Sequence, residues 1–291
     1  MDFKLVYSHN LAKIYQLTDR VYFRLGNWPE KYQCNGGFIE LEHCTLVVDA
    51  PSVEAANDMM FESQELFGKP VKYVFITHAH PDHIYGLPAY ADDPDIVLIA
   101  SWNARSNFGY HGVHHYPKQF LAIKDKIQVT LDGVDLCFEK IPFQAHSLWD
   151  SMLYLHDAGI LFAGDLIVPQ RNMFLKDCHL WGWRKALEDI MARGPLILAR
   201  GHGEVCETNY MQKQIDYIDA LVALNKLLRE NVTVETYLHR GAVNILEGLA
   251  REGCSCADEL IGGAGSDACA HLSQLFDYSV ETAKSIRMLF P

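Results

Sequence analysis

Thr77-His78-Ala79-His80-Pro81-Asp82-His83, closed by Gly86, is the stretch on which this chain is organised. The run before it, Val71-Lys72-Tyr73-Val74-Phe75-Ile76, reads as a buried strand. Three imidazoles and one carboxylate therefore crowd into one short loop at a strand end, which is a rigid mount. Imidazole and carboxylate are ligands of choice for Zn, Fe and Mn. His78 and His80 alternate with Ala79, so in an extended segment they face the same side. Asp82 and His83 lie past Pro81, where the chain must bend, and can address a second point nearby. The spacing suggests two adjacent metals.

Working outward, the 291 residues are 49% hydrophobic and 21% charged, an ordinary globular balance with room for one large domain or two smaller ones. With 25 Lys and Arg against 37 Asp and Glu, the net charge is −12. No Lys/Arg block is present, so the chain is poorly suited to gripping nucleic acid through its phosphates. Cys34, Cys44, Cys137, Cys178, Cys206, Cys254, Cys256 and Cys269 are scattered without CxxC spacing and read as free thiols of a reducing cytoplasm. Met1-Asp2-Phe3-Lys4-Leu5 does not have the form of a signal peptide, and no apolar run approaches the ~18 residues of a membrane span.

His78-x-His80-x-Asp82-His83 resembles the signature of the metallo-β-lactamase superfamily. The resemblance implies an α/β fold, a four-layer αβ/βα sandwich, with a dinuclear site at one edge and further ligands later in the chain. Matching positions occur in order. His146, between the apolar runs Ile141-Pro142-Phe143 and Met152-Leu153-Tyr154-Leu155, is the expected third ligand of the first metal, with His78 and His80. Asp165, after Gly159-Ile160-Leu161-Phe162-Ala163-Gly164, matches the bridging carboxylate. His202, between Gly201 and Gly203, completes the second site with Asp82 and His83. Asp49, at the end of Thr45-Leu46-Val47-Val48, is expected to orient a ligand histidine, and Asp150 to brace the His146 loop. An Asp at the bridge resembles the glyoxalase II, lactonase and phosphodiesterase branches more than the secreted β-lactam enzymes that carry Cys there.

Elsewhere, Gly37-Phe38-Ile39-Glu40-Leu41 and Thr45-Leu46-Val47-Val48 read as paired strands, and Ser52 caps a helix to about Phe67 that Gly68 and Pro70 stop. Ile96-Val97-Leu98-Ile99-Ala100 is a further strand. Asp132-Gly133 marks a hairpin. Trp181 to Ile190 reads as an amphipathic helix and Pro195 to Ala199 as the last strand. Ser101 to Phe120 shows little periodicity and reads as a loop. Its Tyr110, His111 and His114 are candidate substrate contacts, and Arg171 and Lys176 are the candidate cations near the bridging Asp. Tyr217, Ile218, Leu221, Leu224, Leu227 and Leu228 recur at helical spacing, with further helices expected over 234–252 and 273–289. The expected organisation is a catalytic domain over 1–207 and a C-terminal helical extension over 208–291, which either stabilises the sandwich or caps the mouth of the site.

The implied activity is hydrolysis of a small ester, thioester, lactone or related substrate by water activated on two divalent metals, Zn foremost and Fe or Mn as the other fits, with Asp82 also relaying a proton. A small-molecule phosphodiesterase, or a binding or signalling protein that keeps its metals with little turnover, is the alternative. A flavo-diiron oxidoreductase would need a flavin domain and Glu in place of His80. Nucleic acid and membrane are not expected as partners, homo-oligomerisation is left open, and β-lactam turnover is expected to be weak or absent.

Overall fold

The computed structural model describes residues 3–26, 34–169 and 174–231. Strands β5 (Thr45–Val48) and β6 (Val71–Phe75) pair in parallel because helix α1 (Val53–Phe67) crosses between them. As the sequence suggests, Ser52 caps that helix, its hydroxyl accepting from the Ala55 N–H at 3.1 Å, and Gly68 ends it in the left-handed region. The first sheet has eight strands in chain order. Strands β1 (Lys4–Ser8), β2 (Ala12–Gln16), β3 (Val21–Gly26) and β4 (Gly36–Glu40) form an antiparallel meander, and β4 pairs antiparallel with β5. Strands β7 (Val97–Ser101) and β8 (Gln119–Ile123) follow in parallel.

The second sheet holds β9 (Lys126–Leu131), β10 (Val134–Lys140), β11 (Ser151–Leu155), β12 (Ile160–Gly164), β13 (Ile197–Arg200) and β14 (Cys206–Glu207), in the order β14-β13-β12-β11-β10-β9. Asp132 and Gly133, both at positive φ (51° and 75°), turn β9 into β10 as their dipeptide signals. Strands β12 and β13 are parallel, with α5 (Leu180–Met191) between them in sequence.

The sheets stack through a shared apolar layer. Phe23, Ile39, Leu46 and Phe75 of the first meet Leu136, Phe138, Leu153 and Phe162 of the second, and the Phe75 and Phe138 rings lie 5.2 Å apart. Truncating a phenylalanine in such a layer costs about 3–5 kcal/mol. The outer face of the first sheet is covered by α1, α3 (Leu87–Tyr90) and α4 (Trp102–Asn107) through Ala56, Met59, Leu87, Tyr90 and Ala104. On the outer face of the second, Trp183, Leu187 and Ile190 of α5 pack with Met211, Ile215 and Ile218 of α6 (Asn209–Asn231). This is the expected four-layer sandwich. A fully buried ion pair, Arg24 Nε to Glu62 Oε2 at 2.8 Å, ties β3 to α1.

Three readings change. Ser101 to Phe120 is not one loop: it contains α4, a 3-10 turn over Gly109–His111 and the start of β8. Six residues are too few for periodicity to show, and the signal that was present is the cap, Ser101 Oγ accepting from the Ala104 N–H at 3.1 Å. Strand β13 is not the last, because the two-residue β14 pairs antiparallel with it. Strands β1 and β2 form an outer ribbon whose weak alternation gave no reading. Arg171, the Leu224, Leu227 and Leu228 side chains, the stretches 234–252 and 273–289, and Cys254, Cys256 and Cys269 lie outside the described residues. Among the described residues no helix is long and apolar enough to cross a membrane.

Candidate metal centre

The parallel strand β6 delivers Thr77 and His78 to the edge of the first sheet. Pro81 then opens the one-turn helix α2 (Pro81–Ile84), which swings Asp82 and His83 back over the same edge. Three segments of the second sheet meet them: the β10–β11 loop with His146, the residue after β12, Asp165, and the residues after β13, with His202.

Two clusters result. His80 Nδ1 lies 3.0 Å from His78 Nε2 and 2.9 Å from His146 Nε2. His202 Nε2 lies 3.1 Å from Asp82 Oδ2, which is 3.8 Å from His83 Nε2. Asp165 touches both clusters: Oδ1 is 3.4 Å from His83 Nε2, and Oδ2 is 3.3 Å from His202 Nε2 and 3.7 Å from His146 Nε2. All seven residues named by the resemblance meet at this edge. His83 Nε2 and Asp165 Oδ1 are buried, face each other and make no hydrogen bond.

The residues behind the clusters decide which nitrogen faces inward. The Thr77 N–H and hydroxyl both donate to the Asp49 carboxylate, at 2.8 and 2.9 Å. The hydroxyl oxygen is then left to accept from His78 Nδ1, 3.1 Å away, so Nε2 points its lone pair into the cluster. His83 Nδ1 donates to Asp49 Oδ2 at 2.8 Å, which again leaves Nε2 facing inward. His80 is reversed: its Nε2 lies 3.3 Å from Asp177 Oδ2, and Nδ1 faces its neighbours. An imidazole that donates outward to a carboxylate or hydroxyl is the usual state of a metal-ligating histidine. Asp49 holds this place with φ at 60°, in the left-handed region, where a non-glycine residue is strained. Asp150 braces the His146 loop by accepting from the Ser147 N–H at 2.7 Å and its hydroxyl at 2.8 Å. Asn35 pins the His202 loop, its Nδ2 donating to the Arg200 and Gly203 carbonyls. Two glycines are needed for close approach: a Cβ on Gly201 would run into Asp165 Oδ1, and one on Gly164, at φ 51°, into Thr77.

Electrostatics separate the clusters. Burial lowers His78 well below the ordinary imidazole range and takes His146 down to about 3, so both present neutral lone pairs. Burial also acts to lower His83 and His202, but the anionic neighbours reverse it. Asp49, Asp165 and Asp82 raise His83 well above its ordinary value, and Asp165 and Asp82 bring His202 up to about 9. For Asp165, burial acts to raise the carboxyl, yet His202 and His83 hold it well below the carboxylate range. Asp82 is lowered in the same way, with His83 and His202 outweighing its burial.

The donor set fits divalent cations. Two imidazole nitrogens lie within 3.0 Å of a third, His80 Nδ1, and no one proton satisfies all three, while the second cluster concentrates carboxylate charge on imidazoles that a cation would deprotonate. The groups His78–His80–His146, His78–His83–Asp165 and Asp82–His83–His202 each bring their ligand atoms within 4.8 Å of one another.

The expected substrate contacts scatter. His111 lies near enough to the centre that His80, after burial, lowers it and Asp177 acts to raise it. Its ring meets Trp149 at 6.4 Å. Tyr110 is 84% exposed beside it. His114 lies against Gly109 and lines a hollow in the α4 region. Lys176 is exposed, and its charge acts on Asp177. The reading that looked for a cation here passed over its neighbour: Asp177 is the residue that reaches the centre, with Phe174, whose ring meets His80 edge-on at 5.3 Å. The signal available was an acid shortly after a metal-type Asp, which is weak alone.

A four-layer sandwich with imidazoles and carboxylates gathered at one sheet edge is the architecture of a metallo-hydrolase-type fold. The Metallo-beta-lactamase superfamily profile matches residues 29–202, more than half of the chain, and the chain belongs to that superfamily. It is 25% identical over 152 residues to a Caenorhabditis elegans protein called "Beta-lactamase-like protein 2 homolog". That match spans about half of each, 51% of this chain and 48% of the relative. Among solved structures it resembles the metallo-beta-lactamase of Pontibacter korlensis (TM-score 0.64, 15% identity, 72% of this chain and 99% of that one). It also resembles those of Erythrobacter litoralis (0.62, 17%, 74% and 99%) and, in a mono-zinc form, Pseudomonas aeruginosa (0.62, 20%, 72% and 96%). At these identities the likeness speaks for the fold.

Proposed function

We propose that the protein is a metal-dependent hydrolase that uses water to cleave a small ester, thioester, lactone or related bond, with two divalent ions, zinc first among them. The observation that carries this is the Asp165 carboxylate placed between a three-imidazole cluster and an Asp–His–His cluster, with His83 Nε2 and Asp165 Oδ1 buried and unsatisfied. His78, His80 and His146 would hold one ion, Asp82, His83 and His202 the other, and Asp165 would span them. When bound, the ions supply Lewis acidity toward the scissile oxygen and acidify a water. The chain supplies the rest. Asp49, Thr77 and Asp177 fix the imidazole directions, so the centre is preorganised and does not reorganise during reaction. Asp82, the most open carboxylate of the set with its side chain 19% exposed, can also relay a proton to the departing group. The nearest thiol, Cys34, is driven up to about 12 by burial and stays protonated, so it is no competing nucleophile.

The net charge of −12 favours a small substrate over nucleic acid, and the five described cysteines, all unpaired, suit a reducing compartment such as the cytoplasm. An Asp at the bridging position supports the glyoxalase II and lactonase side of the superfamily. The test is a screen of metal-loaded protein against a thioester, a lactone, a phosphodiester and a chromogenic cephalosporin. Turnover of the thioester or lactone is expected. Efficient turnover of the cephalosporin alone would overturn the substrate class, and turnover insensitive to chelation would overturn the chemistry.

A further inference from the structure

Helix α4 and the 3-10 turn after it enclose a hollow of about 280 Å³, lined in part by Trp102, Arg105, Ser106, His114 and Tyr116. Arg105 is the charged group in it. Its guanidinium carbon lies 4.5 Å from the Phe120 ring centre, 5.5 Å from that of Trp102 and 5.6 Å from that of Tyr116, a three-sided aromatic surround. Its Nε is buried and makes no hydrogen bond. Every other arginine whose side chain is described is partnered: Arg20 and Arg200 with backbone carbonyls, Arg24 with Glu62, Arg184 with Asp219, and Arg193 with Glu139. Arg105 has no carboxylate within ion-pair distance among the described residues, although the chain carries 37 acidic side chains. Trp102, at the rim, is 57% exposed.

A guanidinium stacked on rings keeps its planar fork free for an oxyanion, and the fork matches two oxygens of one head group. The neighbouring His114 offers a second nitrogen. The rings offer flat apolar area for whatever carries the head group. The volume is slightly below that of common small-molecule pockets, which limits the occupant to about one ring and its head group.

We propose that this hollow is a binding site for a small organic anion, a carboxylate or phosphate head on Arg105 and His114 with a flat apolar body against Trp102 and Tyr116. The site is separate from the metal ligands and does not rest on the hydrolase reading. It abuts the turn Gly109–His111, whose far end carries His111 toward His80 and Asp177.

The experiment titrates the full-length, metal-loaded protein with benzoate, phenyl phosphate and neutral benzyl alcohol at matched ionic strength, followed by calorimetry and tryptophan fluorescence. Saturable binding of an anion and none of benzyl alcohol is expected, and the tighter of the two anions names the head group. Arg105→Gln should weaken binding about tenfold to a hundredfold, the worth of a charge-assisted hydrogen bond. Trp102→Phe should remove the fluorescence change while calorimetric binding persists, and chelating the metals should leave affinity unchanged. If Arg105→Gln does not fold, His114→Ala takes its place, with a several-fold loss expected. Absence of saturation, unchanged affinity in the folded variant, or binding abolished by chelation overturns the proposal, the last because the anion then sits on the metals.

Discussion

His78, His80 and His83 fall within six residues of one another, and His111, His114 and His115 within five. The two stretches look alike in composition and differ in mounting. The first follows a central parallel strand and enters a helix at Pro81, so its backbone is fixed at both ends, and its three imidazoles are buried and aimed at one another. The second hangs between a six-residue helix and a strand. There His111 turns toward the metal edge, His114 lines a different hollow, and His115 makes an exposed contact with Asp92 at 3.0 Å. Histidine count says little about a metal site. What matters is whether each ring has a partner behind it that turns a lone pair inward, as Asp49, Thr77 and Asp177 do for the first stretch.

The comparison breaks most visibly at the residue joining the two clusters. Asp165→Asn keeps the volume and removes one anionic oxygen. It should lower kcat by about two to four orders of magnitude and reduce metal content from two per chain toward one. Full metal content with parental turnover on the true substrate would remove Asp165 from the bridge. His111→Ala should leave metal content unaltered, which elemental analysis of both variants checks.

Proton competition should sharpen the contrast between the clusters themselves. In the metal-free protein His202 is raised to about 9 and His83 well above its ordinary value, so a cation at their cluster must displace protons. His78 and His146 are lowered, so their cluster is open at neutral pH. Metal affinity at the Asp82–His83–His202 cluster should therefore climb about tenfold per pH unit for each proton released, with the His202 share of that climb ending near pH 9. Dialysis at about pH 6 should leave roughly one metal per chain and at about pH 8.5 two. Both sites emptying together would refute the asymmetry. The sign for stability follows from the same raised value. In the metal-free fold His202 contributes stability that is fully present below its ordinary 6.5 and is lost as pH rises through about 9.

Asp177 is the next test. Asp177→Asn keeps the reach to His80 Nε2 but removes the charge, and should weaken metal binding at the His78–His80–His146 cluster about tenfold to a hundredfold, with the other cluster unaffected. Competition with a calibrated chelator reads this directly. An unchanged affinity would make Asp177 a surface acid beside Lys176.

How far the sequence carries depends on how local the physics is. His78, His80, Asp82 and His83 were legible from their crowding at a strand end, whereas His146, Asp165 and His202 were legible through the resemblance, to which Gly164-Asp165 and Gly201-His202-Gly203 add a local sign of close backbone approach. Asp49 was legible from its place at a strand end, and Asp150 from the resemblance. Asp177 was not, because its contact with His80 spans 97 positions and nothing local distinguishes it from the exposed Lys176. The segment 101–120 was misread for a related reason: α4 is held by one cap and by Arg105 under three rings, a tertiary arrangement that a short polar stretch does not display.

The smallest expected effect tests whether the second histidine stretch reaches the substrate at all. His111 is half-buried, packs toward Trp149, and feels the charges of His80 and Asp177, so it lies beside the centre and outside the ligand clusters. Burial and His80 both lower it, so it is neutral near pH 7 and can offer a hydrogen bond or an apolar face, but no positive charge. His111→Ala should therefore raise KM a few-fold, with kcat changed less, the pattern of a lost ground-state contact. Tyr110→Ala, from a side chain 84% exposed, should change KM less still. The discriminating quantity is the order of the two effects. If Tyr110→Ala exceeds His111→Ala, the substrate lies outside the turn. If neither variant moves KM, the stretch is surface, and its only ligand is the one held by Arg105.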